Sequence, residues 1–173
     1  MDKLQVPDVK TAGIVPLMME VAKMQEKSGA TLIEVFTPGP WSIASNICGL
    51  DLLCRWVLKN PELVHQIQRK GLPFSVGMLR YCVDTFGADR LLPWVGGTAV
   101  TTNQLISPKH FEQFVLPYMK ELYDEAHAMG LKHIFIHICG EQNLNLPYWS
   151  QLDYGDPGIL SFGHEVELET AGK

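Results

Sequence analysis

The run from Lys132 to Gly140 constrains this chain more than any other stretch. Lys132-His133-Ile134-Phe135-Ile136-His137-Ile138-Cys139-Gly140 is rich in β-branched and aromatic residues and stops on a glycine, the pattern of a buried strand running into a turn. Side chains alternate across a strand with period two. Ile134, Ile136 and Ile138 therefore share one face, and His133, Phe135, His137 and Cys139 share the other. An all-isoleucine face requires a covering layer, which in α/β proteins is a layer of helices. The opposite face ends on an imidazole and a thiol one strand repeat apart, roughly 6–7 Å between Cα atoms. Both can reach one metal ion, and imidazole nitrogen with thiolate sulfur suits zinc. His137 and Cys139 are the candidate metal ligands. Plain packing is the rival reading, because a buried thiol is a small hydrophobe. Position favours the ligand reading, since parallel α/β folds bind ligands at the carboxyl ends of their strands.

The rest of the chain repeats the same grammar. Asp8 can cap a helix to about Ser28 whose apolar face is Ile14, Leu17, Met18, Val21, Ala22 and Met24, and Gly29 closes it. Ala30 to Phe36 is then a strand. Thr37-Pro38-Gly39-Pro40-Trp41-Ser42 follows at its carboxyl end, too rich in Gly and Pro to be regular, and opens a short helix. Trp41 is either a packing anchor or, with Ser42, part of a pocket wall at a helix start. Leu50 to Lys59 is helical, burying Leu52, Leu53, Trp56 and Val57. Asn60 caps and Pro61 starts a further helix toward Asp84, which Gly71-Leu72-Pro73 should kink or interrupt. Arg90 to Val95 is a short strand. Gly96 to Gln104 is a small, polar, uncharged loop after it, containing Thr101, Thr102 and Asn103. Ser107-Pro108 begins a long helix to about Met129, bent at Pro117. The strand at 132–140 comes next, then a short helix over 146–152 and a fourth strand over 158–163.

Helices and buried strands thus alternate, the order of a parallel sheet with crossover connections. No GxGxxG or Walker loop follows a strand, so nucleotide-binding folds gain no support. Four strands are half of those that close a (β/α)8 barrel of typically ~250 residues. The 173 residues are therefore expected to form a single domain, 1–173, that is a slice of such a barrel.

Composition narrows the function classes. The net charge is −5 and there is no Lys/Arg run, which argues against nucleic acid as a partner. No apolar stretch approaches the ~18 residues of a membrane span, and Met1 to Pro7 lacks the apolar core of a signal peptide. The expected location is the cytoplasm. Cys48, Cys54, Cys82 and Cys139 lie far apart without CxxC spacing, as reduced thiols would.

Several stretches resemble the uroporphyrinogen decarboxylase superfamily, which includes zinc-dependent cobamide:thiol methyltransferases. Gly39-Pro40-Trp41-Ser42-Ile43-Ala44 resembles the family's Gly-Pro-aromatic turn. Asn60-Pro61-Glu62-Leu63-Val64-His65 resembles its helix start. Leu105 to Tyr118, with Ile106-Ser107-Pro108, Phe111, Phe114 and Pro117-Tyr118, resembles its Ile-Ser-Pro helix. His137-Ile138-Cys139-Gly140 resembles the strand end of the methyltransferase branch.

The resemblance implies an α/β fold that is a partial (β/α)8 barrel, roughly strands 3–6 with their helices. It implies zinc at His137 and Cys139, a corrinoid (cobamide) as methyl carrier, and a small-molecule thiol as partner, with a corrinoid protein as a further partner. Trp41, Ser42, Thr101, Thr102 and Asn103 are the expected substrate-binding residues. The family places another cysteine ligand near its seventh or eighth strand, and no cysteine follows Cys139. His164 and Glu165 are the nearby alternatives. Two rival readings remain. One is a decarboxylase-like carboxy-lyase acting on a tetrapyrrole without metal. The other is an inactive half-barrel that self-associates as a homo-oligomer through its open edge strands.

Overall fold

The computed structural model describes residues 3–96 and 98–172. Gly97 of the expected polar loop, and Met1, Asp2 and Lys173, lie outside the described residues. Along the chain run α1 (Val15–Lys27), β1 (Ile33–Pro38), α2 (Pro40–Cys48), α3 (Leu50–Lys59), α4 (Pro61–Phe86) and β2 (Leu91–Gly96). Then come α5 (Pro108–Phe114), α6 (Leu116–Ala128), β3 (Phe135–Ile138), α7 (Leu146–Trp149), β4 (Ile159–Phe162) and α8 (Leu168–Ala171). The described strands form one sheet in the order β1-β2-β3-β4, every neighbouring pair parallel. Parallel neighbours require crossover segments, which the intervening helices supply. The expected α/β class and partial barrel are what the structure shows.

The isoleucine face of β3 has no exposed surface at Ile134, Ile136 or Ile138. Ile33, Val35, Leu91 and Val95 of β1 and β2 continue that layer under the helices. On the other face one register row crosses all four strands: Phe36, Trp94, Phe135 and Ile159. The rings of Phe36 and Trp94 meet edge to face at 5.4 Å, and those of Trp94 and Phe135 stack at 5.9 Å. This row keeps substantial exposure, 38% at Phe36 and 41% at Ile159. Gly96 is required beside it, because a Cβ there would lie 2.1 Å from the Phe36 ring.

Three expectations are corrected. The first helix starts at Val15, not near Asp8, whose carboxylate instead accepts the Lys10 N–H in a turn. The helix buries Val15, Met19 and Ala22, with Met19 against Cys82, while Ile14, Leu17, Val21 and Met24 face outward. Two apolar stripes compete in that segment, and packing rather than periodicity selects one. Second, α4 is one continuous helix through Pro73, so Gly71-Leu72-Pro73 does not interrupt it. Burial of Leu72, Ser75, Met78 and Leu79 around it outweighs the lost backbone hydrogen bond. Gly71 lets Ile43 approach closely, since a Cβ would sit 2.9 Å from the Ile43 methyl carbon. Third, the helix after Ser107 is two helices broken at Val115, not one bent helix. Pro117 has no N–H for the carbonyl one turn earlier, and the buried Gln68 amide donates to the Phe114 carbonyl at the break, 2.7 Å. Ser107 caps as expected, accepting the His110 N–H, whereas Asn60 makes no side-chain cap bond.

Candidate functional site

β3 carries His137 on its half-exposed face near the carboxyl end of the sheet, and Cys139 follows directly after the strand. Both are half-buried. His137 stands in register with Ser161 of β4, and its Nδ1 lies 2.9 Å from the Ser161 hydroxyl oxygen. An imidazole tethered through one nitrogen presents the other in a fixed direction, the arrangement in which histidine serves as a metal ligand. The Gly140 turn follows Cys139 at φ +70, where a Cβ would meet the Thr102 methyl at 2.4 Å. Both the left-handed backbone and the close approach demand glycine.

The loop after β2 is bound to the loop after β3. Gln142, fully buried, donates through Nε2 to Thr101 Oγ1 and to the Cys139 carbonyl, each at 3.2 Å. Its Oε1 accepts from Asn145 Nδ2 at 2.8 Å and from Trp149 Nε1 at 3.2 Å. Asn145 Nδ2 also donates to the Thr101 carbonyl. The Asn103 N–H donates to the Glu141 carbonyl, and Asn103 Oδ1 accepts from the Leu144 N–H. Asn143 ties the same loop to the segment after β4, donating to the Glu165 carbonyl and accepting from the Glu167 N–H. These bonds fix the loops relative to one another, although Asn145 Oδ1 is enclosed without a partner among the described residues.

The expected pocket residues are brought together, in two groups. Trp41, Ser42 and Thr101 are buried and surround a cavity of about 10 Å³ with Gly39, Gly96 and Met119, about room for one water. Trp41 is held by its indole N–H, which donates to the Val100 carbonyl at 2.9 Å. Thr102 packs on Gly140, and Asn103 is half-buried, with its Nδ2 enclosed and without a partner among the described residues. Gln142 joins the two groups to the His137–Cys139 strand end. His164 and Glu165 are exposed. Among the described residues no group of three His, Cys, Asp or Glu side chains is placed to hold a metal ion. The candidate donors His137 and Cys139 have chemistry that fits zinc but are one short of the three usual in a catalytic site.

Sequence reasoning passed over Ser161 and Gln142. A serine inside Ile159-Leu160-Ser161-Phe162 was a signal, because a lone hydroxyl on an apolar strand needs a partner. The Gln142 and Asn145 amides, three residues apart in a loop after a strand, were another.

The family model for uroporphyrinogen decarboxylase (URO-D) matches residues 1–173. A methylated-thiol–coenzyme M methyltransferase of Methanosarcina mazei is 29% identical over 114 residues, 65% of this chain and 28% of that protein. The methylcobamide:CoM methyltransferase MtbA of the same organism is 24% identical over 172 residues, 99% of this chain and 48% of its own length. MtbA of Methanosarcina acetivorans is 28% identical over 161 residues, 92% of this chain and 45% of that protein. Among solved structures, a methyltransferase from Methanosarcina mazei superposes with a TM-score of 0.72 at 22% identity, covering 86% of this chain and 43% of its own. The chain thus spans at most about half the length of these relatives. Among the described residues no helix is long and apolar enough to cross a membrane.

Proposed function

The chain belongs to the uroporphyrinogen decarboxylase family, and from that premise we propose that it carries part of a methyltransferase site that moves a methyl group between a corrinoid and a thiol, with zinc held by His137 and Cys139. The observation that carries this reading is the strand end itself: an imidazole tethered by Ser161, two residues before a half-buried thiol. The likeness to methylcobamide:CoM and methylated-thiol–coenzyme M methyltransferases supports it. Zinc bound there would supply Lewis acidity that favours the thiolate form of a thiol substrate.

The chain's own residues do the rest. His137 and Cys139 bind, and Ser161 orients the imidazole. Gly140 turns the chain under Thr102, so that Cys139 stays beside the loop after β2. Gln142 holds the Cys139 carbonyl and Thr101 in one network, which keeps the donors fixed relative to the pocket wall. Asn103 would position the loop after β2 through its bonds to Glu141 and Leu144, and Trp41, Ser42 and Thr101 would form the wall of the small cavity beside it. A corrinoid protein would approach the carboxyl end of the sheet, where these loops lie.

The test is metal binding, read with cobalt(II) in place of zinc. Near-stoichiometric cobalt with a thiolate charge-transfer band is expected for the wild-type chain, and loss of the band in Cys139→Ser and of binding in His137→Ala. Ser161→Ala should weaken binding by about 10–100-fold, as lost outer partners of ligand histidines do. A wild-type chain that binds neither cobalt nor zinc, but binds a tetrapyrrole, would sink the proposal in favour of the decarboxylase-like reading.

A further inference from the structure

His127 sits at the last turn of α6, away from the site, with a backbone carbonyl facing each of its ring nitrogens. Nδ1 lies 2.8 Å from the Leu131 carbonyl oxygen, and Nε2 lies 3.0 Å from the Asp153 carbonyl oxygen. A neutral imidazole has one N–H and can serve one of these; the imidazolium has two and serves both. A carbonyl opposite a ring lone pair is repelled, so the arrangement selects the charged form. The charged groups that act on the ring agree with this. The Asp153 carboxylate, from the loop before β4, lies 3.8 Å from Nε2, and Asp124 acts from one turn earlier in α6. The helix C-terminus favours a cation as well.

We propose that His127 is a proton-operated latch: as an imidazolium it ties the end of α6 to the 150–155 loop that leads into β4, and on deprotonation it releases one of the two ties. What it holds is specific. The Tyr154 carbonyl, next to Asp153, accepts the Ile134 N–H at 2.9 Å, and His133 and Gly155 form an isolated antiparallel bridge. The Ile159 N–H then donates to the Ile134 carbonyl at 3.1 Å. The latch therefore sets how β4 is presented to β3, and β4 carries the Ser161 hydroxyl beside His137. Partial burial acts to lower the His127 pKa, but the two carbonyls and the carboxylates of Asp153 and Asp124 outweigh it and hold the imidazole above its ordinary value. With a folded pKa raised above the unfolded one, the latch contributes in full below the unfolded value. Its contribution is lost as pH rises through the folded value.

The experiment is an NMR titration of the His127 ring nitrogens with amide exchange at Ile134, across pH 5–9, on the wild-type chain and on His127→Gln. The expected result is a His127 titration above the ordinary histidine range, with both ring nitrogens protonated below it. Ile134 protection, corrected for intrinsic exchange, should fall about fivefold more across that titration in the wild type than in His127→Gln, the worth of one hydrogen bond. His133, whose Nδ1 meets the Pro157 carbonyl on the same loop, is retained in the variant, so any contribution from it persists in both proteins. A His127 that titrates at or below the ordinary value overturns the latch, as does an equal fall of protection in the variant. Should His127→Gln not fold, the ring-nitrogen titration of the wild type decides alone.

Discussion

The two faces of β3 are completed in opposite ways. Ile134, Ile136 and Ile138 point into a layer that leaves them no exposed surface, while Phe135 and His137 on the reverse side remain half-buried, as does Cys139 just past the strand. One face is finished by helices of this chain. The other carries an aromatic row that an eight-stranded barrel would turn into its interior. On the proposed function, stability and chemistry are thereby divided across β3 and the residues that flank it. Substitutions on the isoleucine side should disturb folding, and those on the histidine side should disturb ligand binding.

The largest effect that can break this comparison is a paired truncation. Ile136→Ala should cost about 3 kcal/mol in urea unfolding, the usual range for a core isoleucine whose site cannot collapse. Phe135→Ala should cost distinctly less, about 1–2 kcal/mol, although it removes a larger side chain, because the ring is already partly in water. Equal costs would mean that the aromatic row is covered in solution, by a second copy meeting the open face as the self-associating reading expects. Light scattering on the same samples would identify that copy.

Next in size is the polar layer at the carboxyl end. Gln142→Ala should cost about 2–3 kcal/mol, since it strands the buried Asn145 and Trp149 donors as well as losing its own bonds. The same substitution should loosen Cys139 through the lost tie to its carbonyl, and so weaken cobalt binding without touching a ligand. That coupling is the point at which the division between faces should leak. A Gln142→Ala chain with wild-type metal affinity would show that Cys139 is held by the Gly140 turn alone.

Much of this division was legible in the sequence, because strand alternation is a rigid rule: the isoleucine and histidine faces follow from residue parity alone. The strand–helix order and the glycine turn at Gly140 were legible for similar local reasons. What failed was whatever packing decides between locally equal options. Helix α1 offers two apolar stripes, and only contact with Cys82 and β1 selects Val15–Met19–Ala22. Helix α4 crosses Pro73 because its neighbours bury it on both sides of the proline. At the strand end, spacing alone marks His137 and Cys139 as candidates, whereas the lone Ser161 hydroxyl and the Gln142 amide are visible in the sequence but what they meet is not. Their roles depend on register between β3 and β4 and on two loops meeting, neither of which a single segment encodes.

The smallest perturbation sharpens the comparison without altering stability, by asking each thiol which side it is on. Burial pushes the Cys82 thiol up to about 12, and the thiolate is the reactive form. Cys82 should therefore resist a thiol reagent at pH 8 until the chain unfolds. Burial also raises Cys48 and Cys54, although both are only half-buried, so they should react slowly. Cys139, half-buried just past β3, should be labelled in the metal-free native chain, which peptide mapping after labelling would show. Zinc added beforehand should protect Cys139 and leave Cys48 and Cys54 unchanged, since a coordinated sulfur is no longer available to the reagent. Protection of all three alike would mean a general tightening of the fold. Protection of Cys139 alone would put the metal on the histidine face of β3.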